Sequence, residues 1–275
     1  MAHSDDTRDL GKGLPVGAPH HRAYVGVAEH YDLVAQTQFN LLTCLGMRED
    51  HYLLDIGCGS LRGGRLSIVY LLPGHYFGIE PNRELLKQGI EKETGMGLIE
   101  LKQPRFSHDA DFTCTTFGRD FDFIMAQAIF VHAAPAQIHR CLSQARMCMT
   151  PSSFFVANFS EGEDNSTQEK WTYPGHQKHR LSWMEGAAGK AGLTCTPIDW
   201  FHPSSPSMLW LILTHSEIWN RAKELAAASH IGALKQEIAV LKNRIKELDS
   251  VQRHPYVRFG LWVKHTLRRM TALVG

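Results

Sequence analysis

The sequence predicts an α/β fold in which helices cover both faces of a mostly parallel, doubly wound sheet. Three short apolar runs, HYLLDIG, HYFGIE and FDFIMA, are typical of buried strands, and each is followed by a helical pattern. Two later strands, at 193–200 and 208–214, are separated only by the turn-rich HPSSPS. The last strand should therefore run antiparallel to its neighbour.

The helices are predicted from apolar residues spaced three and four positions apart. The first precedes the first strand, and the others connect strands, as a parallel sheet requires. The expected helices span residues 31–45, 61–72, 83–93, 136–149 and 181–191, and one more strand spans 153–158. This alternation delimits a domain over residues 23–215, preceded by a flexible tail over residues 1–22.

Composition favours one large domain with an extension, in a reducing compartment. A chain of 275 residues with 43% hydrophobic content can bury one sizeable core. Its six cysteines form no Cys-x-x-Cys pair, so neither a disulfide framework nor a metal site is expected. The N terminus lacks the apolar core of a secretory signal, and no run approaches the ~18 apolar residues of a membrane span. We therefore expect a cytoplasmic protein.

Charge is distributed unevenly along the chain. The net charge is +1, but the last 25 residues contain five basic residues and no acidic ones. Residues 1–250 are left with 24 basic and 28 acidic residues, a net charge of −4. A mildly acidic body offers no broad surface for nucleic acid, so no nucleic-acid partner is expected, whereas the basic end could meet an acidic surface.

The stretch LLDIGCGSLRGG places glycines at the end of the first predicted strand. In a doubly wound sheet, ligands bind at the carboxyl ends of the strands, next to a glycine turn and a helix N terminus. The carboxylate of Asp55 suits a cation, such as the amino group of an amino acid, better than a pyrophosphate. Glu80, at the end of the second strand, can accept hydrogen bonds from both hydroxyls of a ribose. S-adenosylmethionine has both groups, a cationic amino-acid end and a ribose.

Residues 23–215 resemble the class I S-adenosylmethionine-dependent methyltransferases, which have a Rossmann-like fold. LLDIGCGS is similar to their first motif, YFGIEPN to their second, and FDFIMAQAIFVH to their fourth-strand motif. LDIGCGSLRGG followed by YFGIEP more particularly resembles bacterial methyltransferases found with surface-polysaccharide and lipid-glycan genes. The resemblance implies that S-adenosyl-L-methionine is the cofactor.

The resemblance also implies which residues bind this cofactor. Contacts to the methionine part are implied for Asp55, Gly57, Cys58, Gly59 and Ser60. Contacts to the ribose and adenine are implied for Glu80, Pro81 and Asn82, with either Asp109 or Asp111 at the adenine amino group, and Gln127 and Ala128 on the floor. Arg62 is also a candidate, because it could pair with a carboxylate lining the pocket; otherwise it is a solvated first-turn residue.

His132 is the candidate catalytic residue. It follows the fourth strand, where acceptor and methyl group would meet, and could accept the proton of a sugar hydroxyl; the alternative is a hydrogen-bonded structural role. Trp171, Tyr173 and His202 could shape an acceptor pocket or cap the core. The Asn-Pro-Pro-Tyr type of signature for exocyclic amino groups is missing, which favours a hydroxyl acceptor.

The expected function is therefore O-methylation of a sugar hydroxyl on a glycan or lipid-linked saccharide. One alternative is a methyltransferase for a small soluble metabolite. The other is a non-catalytic adapter that keeps the cofactor pocket and tethers an assembly.

The segment 216–250 is predicted to be a helix with a coiled-coil seam. Apolar residues recur alternately three and four positions apart, with isoleucine at a and leucine at d, a combination typical of parallel dimers. Glu237 would face Lys242 of a second copy, and Arg244 would face Asp249. A homodimer through residues 231–248 is expected, the alternative being a helix packed on its own body.

The last segment, 251–275, has the pattern of a basic amphipathic helix. Its apolar residues, with Trp262 among them, fall on one side of a helical wheel, and most of its basic residues fall on the other. Such helices lie in membrane interfaces, so a peripheral position on the inner face of the cell membrane is one expectation. Docking to a partner protein is the other.

Overall fold

A computed structural model describes residues 10–205, 207–215 and six later positions, 220, 224, 241, 242, 244 and 246. The chain divides into two compact units, Met1–Ser229 and His230–Gly275. All the regular elements below lie in the first unit.

The described elements alternate between helices and strands along the chain. The helices are α1 (His21–Tyr24), α2 (Tyr31–Cys44), α3 (Gly64–Tyr70), α4 (Arg83–Gly89), α5 (Met96–Lys102), α6 (Pro135–Arg146) and α7 (Leu181–Lys190). The strands are β1 (Leu53–Ile56), β2 (Tyr76–Ile79), β3 (Arg105–Ser107), β4 (Phe121–Ala126), β5 (Met149–Glu161), β6 (Lys178–His179), β7 (Thr194–Ile198) and β8 (Met208–Thr214). Short 3-10 turns at Ala28–His30 and Cys114–Phe117 and a π turn at Ile90–Thr94 complete the set.

The strands form one sheet in the order β3-β2-β1-β4-β5-β8-β7, with β6 paired to β5. Neighbours from β3 to β5 are parallel, and β8 is antiparallel to both β5 and β7. Strand order reverses at β1, which lies between β2 and β4. The predicted mostly parallel sheet with an antiparallel last strand is therefore confirmed. Ligands of such sheets bind at this reversal.

Alternate strand residues face opposite sides of the sheet. On one side, Leu54 and Phe77 join a buried cluster with Ile138 and Leu142 of α6 and Met184 of α7. On the other side, α2 and α3 contact each other and α3 contacts β2. The sheet is thus covered on both faces, and its strand ends are left to form the site.

Most predicted elements are present, with shifted ends. Helix α3 begins at Gly64 rather than at residue 61, because the chain first makes turns in which Leu61 has a φ of 61°. Helix α6 ends at Arg146, three residues early, since β5 begins at Met149. The elements α5, β3 and β6 were not expected; β3 and β6 have only three and two residues, too few for a periodic pattern.

The segment before α2 packs against the domain through Glu93. The Glu93 carboxylate accepts hydrogen bonds from His21 Nε2 at 2.8 Å and from Arg22 Nε and Nη2 at 2.5 and 2.9 Å. Burial alone would raise the pKa of Glu93, but these hydrogen bonds and the charge of Arg65 hold it at about 2. The prediction of a flexible tail up to residue 22 is therefore wrong for residues 20–22, which α1 and its N-cap include.

The predicted coiled-coil seam, 231–248, and the predicted amphipathic helix, 251–275, lie outside the described residues, apart from four positions. These four are helical and exposed: Leu241, Lys242, Arg244 and Lys246. Where the structure describes the chain, no helix combines the length and the apolar character needed to cross a bilayer.

Candidate functional site

A cavity of about 420 Å³ opens at the carboxyl ends of β1, β2 and β4. Its lining comes from the loops after these three strands and after β3 and β5, from α2, α4 and α6, and from the segment that contains α1. The volume lies in the range of small-molecule sites. The cavity therefore occupies the place where the reversal of strand order predicts a ligand.

The loop after β1 brings backbone close to the cavity. Gly57 and Gly59 have φ angles of +70° and +56°, a region that other residues rarely adopt. A Cβ atom on Gly57 would lie 2.1 Å from Cδ1 of Ile129. The Gly57 and Cys58 N–H groups donate to the carbonyl of Ile79, which joins this loop to the end of β2. Glycine at position 57 thus satisfies both the turn and the close approach.

Asp55, at the penultimate position of β1, is a buried carboxylate that lines the cavity. Its Oδ2 accepts a hydrogen bond of 2.7 Å from the hydroxyl of Tyr76. Burial raises the pKa of Asp55 to about 6, although Tyr76 and the charge of Arg62 act in the opposite direction. No cation of the described residues lies within ion-pair distance of it. Asp55 is therefore a carboxylate suited to a cationic ligand group.

Glu80 follows β2 and ties two loops together. Its Oε2 accepts from the N–H of Gly59 at 2.9 Å, and its Oε1 accepts from the N–H of Asn82 at 2.8 Å. Burial raises the pKa of Glu80, against the effect of these two hydrogen bonds. Each carboxylate oxygen has two lone pairs, so both oxygens can still accept a hydrogen bond from a ligand hydroxyl.

Arg62 is buried in the cavity lining and is not a solvated first-turn residue. Its Nη1 donates to the carbonyl of Val25 at 2.6 Å, and its Nη2 donates to Oε1 of Gln127. Its Nε atom is buried and has no hydrogen-bond partner among the described residues. Burial lowers the pKa of Arg62 to about 10. The expected pairing with a carboxylate of the lining is not formed.

Of the two aspartates proposed for adenine, Asp109 lines the cavity and Asp111 does not. The Asp109 carboxylate accepts hydrogen bonds from the N–H groups of Asp111 and Thr113 and from the hydroxyl of Thr113. Asp111 instead forms an exposed ion pair with Arg140. Asp109 thus shapes its own loop, and any contact of its carboxylate with a ligand comes in addition to these bonds.

Gln127 and Ala128, directly after β4, line the cavity. Ala128 has a φ of 56°, and its N–H donates to Oδ1 of the buried Asn158 at 2.7 Å. Nε2 of Gln127 lies 3.1 Å from Nε2 of His202. His202 therefore does not line the cavity itself but contacts a residue that does.

His132 is held by one backbone carbonyl. Its Nδ1 lies 2.7 Å from the carbonyl oxygen of Gly175, which can only accept, so Nδ1 carries the proton. Burial lowers the pKa of His132 to about 4, with a smaller contribution from His176, although the bond to Gly175 acts in the opposite direction. The ring is therefore neutral at pH 7, and its Nε2 lone pair is available to accept a proton.

Aromatic side chains surround His132 at one end of the cavity. The ring of Tyr173 lies 4.9 Å from that of His132, and the ring of Trp171 lies 5.6 Å away. Tyr24, from α1, packs 5.2 Å from Tyr173. Trp171 lines the cavity and is 41% exposed, so part of its side chain is accessible. Trp171 and Tyr173 therefore shape the pocket rather than only capping the core.

Besides Asp111, one residue predicted to bind a cofactor, Ser60, does not line the cavity. It is fully buried beneath the loop, where its carbonyl accepts from the Tyr31 hydroxyl at 3.0 Å. The structure thus places Ser60 in support of the loop.

Residues that the sequence did not single out also line the cavity: Tyr24, Val25, Gln38, Leu85, Phe112 and Gln137. No local motif marks them, because they come from separate elements of the fold. The described residues contain no cluster of three metal-binding side chains.

Comparison with known proteins shows similarity at the level of structure. No protein-family model and no curated protein sequence matches the chain. Magnesium protoporphyrin IX methyltransferase (ChlM) from Synechocystis PCC 6803, solved with S-adenosylmethionine, has a TM-score of 0.53 at 12% identity over 76% of this chain and 89% of that one. A Leishmania major S-adenosylmethionine-dependent methyltransferase has a TM-score of 0.57 at 13% identity over 74% and 79%.

A third structure, the glycopeptide N-methyltransferase MtfA with S-adenosyl-L-homocysteine, has a TM-score of 0.53 at 10% identity over 67% of this chain and 90% of that one. The chain has the class I methyltransferase fold. At these identities the similarity establishes the fold alone, and the chemistry has to be inferred from the residues of the site. The Rossmann-like prediction for the first unit is thus confirmed.

Proposed function

We propose that the protein is an S-adenosylmethionine-dependent methyltransferase. The observation that carries this proposal is the position of Asp55 and Glu80, two buried carboxylates at the ends of adjacent parallel strands, on one cavity beside a glycine loop. One carboxylate suits an ammonium group and the other suits ribose hydroxyls. The class I fold and the cofactors in the similar structures support this assignment.

The residues present fit such a cofactor. Asp55 and the loop from Gly57 to Gly59 would hold its amino-acid end, and Glu80 would hold its ribose. Leu85 and Phe112 add apolar surface to the lining, as a planar base requires. When bound, S-adenosylmethionine supplies a methyl group on a cationic sulfonium. Orientation of the acceptor in a site that excludes water would then provide most of the catalysis.

The acceptor in this proposal is a hydroxyl group of a glycan or lipid-linked saccharide. His132 would accept the hydroxyl proton at Nε2, since Nδ1 is occupied by the bond to Gly175. The indole ring of Trp171, in the lining, is a flat apolar group against which the C–H face of a sugar ring could pack. A role beside surface-polysaccharide or lipid-glycan enzymes, as the sequence resemblance implies, belongs to the same proposal.

The cofactor assignment is tested by calorimetric titration of S-adenosylmethionine into Asp55→Asn and Glu80→Gln variants. Each change removes one charged hydrogen-bond partner, worth roughly 1.5–3 kcal/mol, so the dissociation constant should rise about 10- to 100-fold. Asp111→Asn is the matched control, because Asp111 is an exposed carboxylate outside the lining. Unchanged affinity in both folded variants contradicts the proposal.

The acceptor class is tested by mass spectrometry on a panel of glycans, lipid-linked saccharides and small metabolites incubated with the protein and cofactor. A gain of one methyl group on a saccharide supports the proposal. A gain only on small metabolites supports the metabolite alternative. A panel that stays unmodified while the cofactor binds supports the non-catalytic adapter.

A further part of the proposal is that residues 231–248 form a parallel homodimer and that residues 251–275 bind the inner membrane surface. The heptad pattern and the five basic residues of the last segment support it. We expect the full chain to sediment with anionic vesicles at low salt, to be released at high salt, and to lose binding when residues 251–275 are deleted. A full chain that stays in solution with these vesicles favours docking to a partner protein.

A further inference from the structure

The hydroxyl group of Tyr173, a residue of the cavity lining, is shielded from solvent. No hydrogen bond joins this hydroxyl to any of the described residues. Buried hydroxyl groups of folded proteins nearly always have a hydrogen-bond partner, because an unpaired one has lost its bonds to water. The partner of this hydroxyl is therefore to be sought in a molecule that enters the cavity.

The segment that carries Tyr173 is held in place by other bonds. The N–H of Thr172 and Nε2 of Gln177 both donate to the carbonyl of His132, at 3.0 and 2.9 Å. The carbonyl of Gly175 accepts from Nδ1 of His132 at 2.7 Å. The backbone is thus fixed on both sides of Tyr173 without its hydroxyl, which stays available to a ligand.

The Tyr173 hydroxyl keeps its proton at neutral pH. Burial raises the pKa of Tyr173 to about 12; Tyr24 acts in the same direction and the charge of Arg62 in the opposite one. The phenol is therefore a hydrogen-bond donor. The ring of His132 lies 4.9 Å away, and its Nε2 has a lone pair because Nδ1 carries the proton. Adjacent rings thus carry one donor and one proton acceptor.

Two hydroxyl groups on neighbouring carbon atoms of a saccharide match this pair. The first would face Nε2 of His132, and the oxygen of the second would accept a hydrogen bond from Tyr173. A bond from Tyr173 to the reacting oxygen itself would occupy one of its lone pairs and make it a weaker nucleophile. The neighbouring oxygen is therefore the better partner for the phenol.

We infer that Tyr173 selects acceptors with a vicinal diol, by donating a hydrogen bond to the hydroxyl next to the one that is methylated. The inference rests on the proposed function, in which a saccharide hydroxyl is methylated beside His132. The reacting oxygen takes the methyl group of the sulfonium, which is left as a neutral thioether, and its proton passes to Nε2 of His132. Saccharides without the neighbouring oxygen leave the phenol unpaired in a filled pocket and are methylated more slowly.

The test measures methyl transfer by mass spectrometry, with the saccharides of the acceptor panel and the methyl glycosides of glucose, galactose and mannose. Fragmentation locates the methylated oxygen of the best acceptor, which is then compared with analogues that lack one neighbouring hydroxyl. In the wild type, loss of the hydroxyl that Tyr173 contacts should lower kcat/KM about 5- to 30-fold. In Tyr173→Phe, the intact saccharide should lose a similar factor, and its advantage over this analogue should fall to about twofold or less.

Tyr70→Phe is the matched control. It also removes one tyrosine hydroxyl, but Tyr70 lies on α3 outside the lining, where its hydroxyl donates to the carbonyl of Met47 at 3.4 Å. This variant should keep the full preference for the intact saccharide. Circular dichroism of both variants establishes that the fold is intact before rates are compared.

Each other outcome contradicts the inference in a different way. An equal loss on both saccharides in Tyr173→Phe means that the hydroxyl bonds the reacting oxygen or only supports the fold. Weaker binding of S-adenosylmethionine to Tyr173→Phe in calorimetric titration means that the hydroxyl contacts the cofactor. A wild type that methylates every deoxy analogue as fast as the intact saccharide overturns the inference while the proposed function stands. If no saccharide gains a methyl group, the proposed acceptor class fails and the inference fails with it.

Discussion

The two ends of the cavity are built in different ways. The end proposed to bind the cofactor, called the cofactor half below, is formed by the loop from Asp55 to Arg62 together with Glu80, one continuous stretch of chain that includes β1 and β2. The end proposed to bind the acceptor, called the acceptor half, is formed by three distant segments that carry His132, Trp171, Tyr173 and Tyr24. Backbone N–H groups and carboxylates dominate the first half, and aromatic rings dominate the second.

The two halves therefore depend on different kinds of contact. In the cofactor half, glycine conformation and two strand ends fix the geometry locally, so a short motif is enough to encode it. In the acceptor half, hydrogen bonds that join His132 to the segment 172–177, including the one to Gly175, and a set of ring contacts fix the geometry across the fold. Changes in one half should therefore leave the other largely intact.

The largest expected effect is on turnover in the acceptor half. His132→Ala should lower kcat about 10²- to 10⁴-fold, the usual contribution of a positioned base, and change the affinity for S-adenosylmethionine little. Single-turnover kinetics with a saccharide that the wild type methylates would measure the first quantity, and calorimetry the second. An equal loss of kcat and of cofactor affinity would show that the two halves are not independent.

Two further variants separate a base from a structural residue at position 132. His132→Asn keeps an N–H donor for the carbonyl of Gly175 but has no ring nitrogen to accept a proton, so it should be as inactive as the alanine variant. Near-normal turnover in His132→Asn would show that His132 has a structural role and is not a base. His139→Ala is the control, because His139 lies on α6 outside the lining.

A smaller effect, confined to the cofactor half, is expected when pH falls from 7 to 5. Asp55 has a raised pKa of about 6, so it gains a proton as pH falls through 6 and no longer attracts a cation. At pH 5 about one tenth of it is ionised, and cofactor affinity should fall about tenfold. Burial also raises the pKa of Glu80, so some dependence should remain in Asp55→Asn, with a shallower slope.

The acceptor half should not respond over the same range. The pKa of His132 is lowered to about 4, so the ring stays neutral and able to accept a proton down to about pH 5. Turnover at saturating cofactor should therefore be level between pH 7 and 5 and should fall as pH approaches 4. A decline of kcat already near pH 6.5, the ordinary value for histidine, would contradict the lowered pKa.

The smallest expected effect is on acceptor binding, through the aromatic residue Trp171. Trp171→Ala should raise the KM for a saccharide acceptor roughly 3- to 10-fold, the size of one aromatic packing contact, without changing kcat or cofactor affinity much. Phe201→Ala is the matched control, because Phe201 is an exposed aromatic residue outside the lining. A change in cofactor affinity, with KM for the acceptor unchanged, would show that Trp171 contributes to cofactor binding instead.

The sequence predicts the sheet, and the position of the glycine loop and the two carboxylates at its strand ends, because these depend on local patterns. Apolar strand runs followed by glycines specify where β1 ends, and an acidic residue after β2 specifies the second carboxylate. The partners of Arg62 were beyond prediction, since Val25 and Gln127 lie 37 and 65 positions away along the chain. The burial of His21 and Arg22 against Glu93 was missed for the same reason, as a short polar segment without periodicity resembles a tail until its distant partner is known.

The attachment of α1 to Glu93 has a practical consequence for protein engineering. Tyr24 and Val25 line the cavity, and His21 and Arg22 anchor them through hydrogen bonds to a glutamate whose side chain is 4% exposed. A recombinant fragment trimmed to start at residue 23, the boundary that sequence patterns suggest, would keep the lining residues but lose their anchor. Expression fragments and N-terminal fusion tags should therefore leave the chain intact from Gly17 onward, where the backbone first bonds to α1.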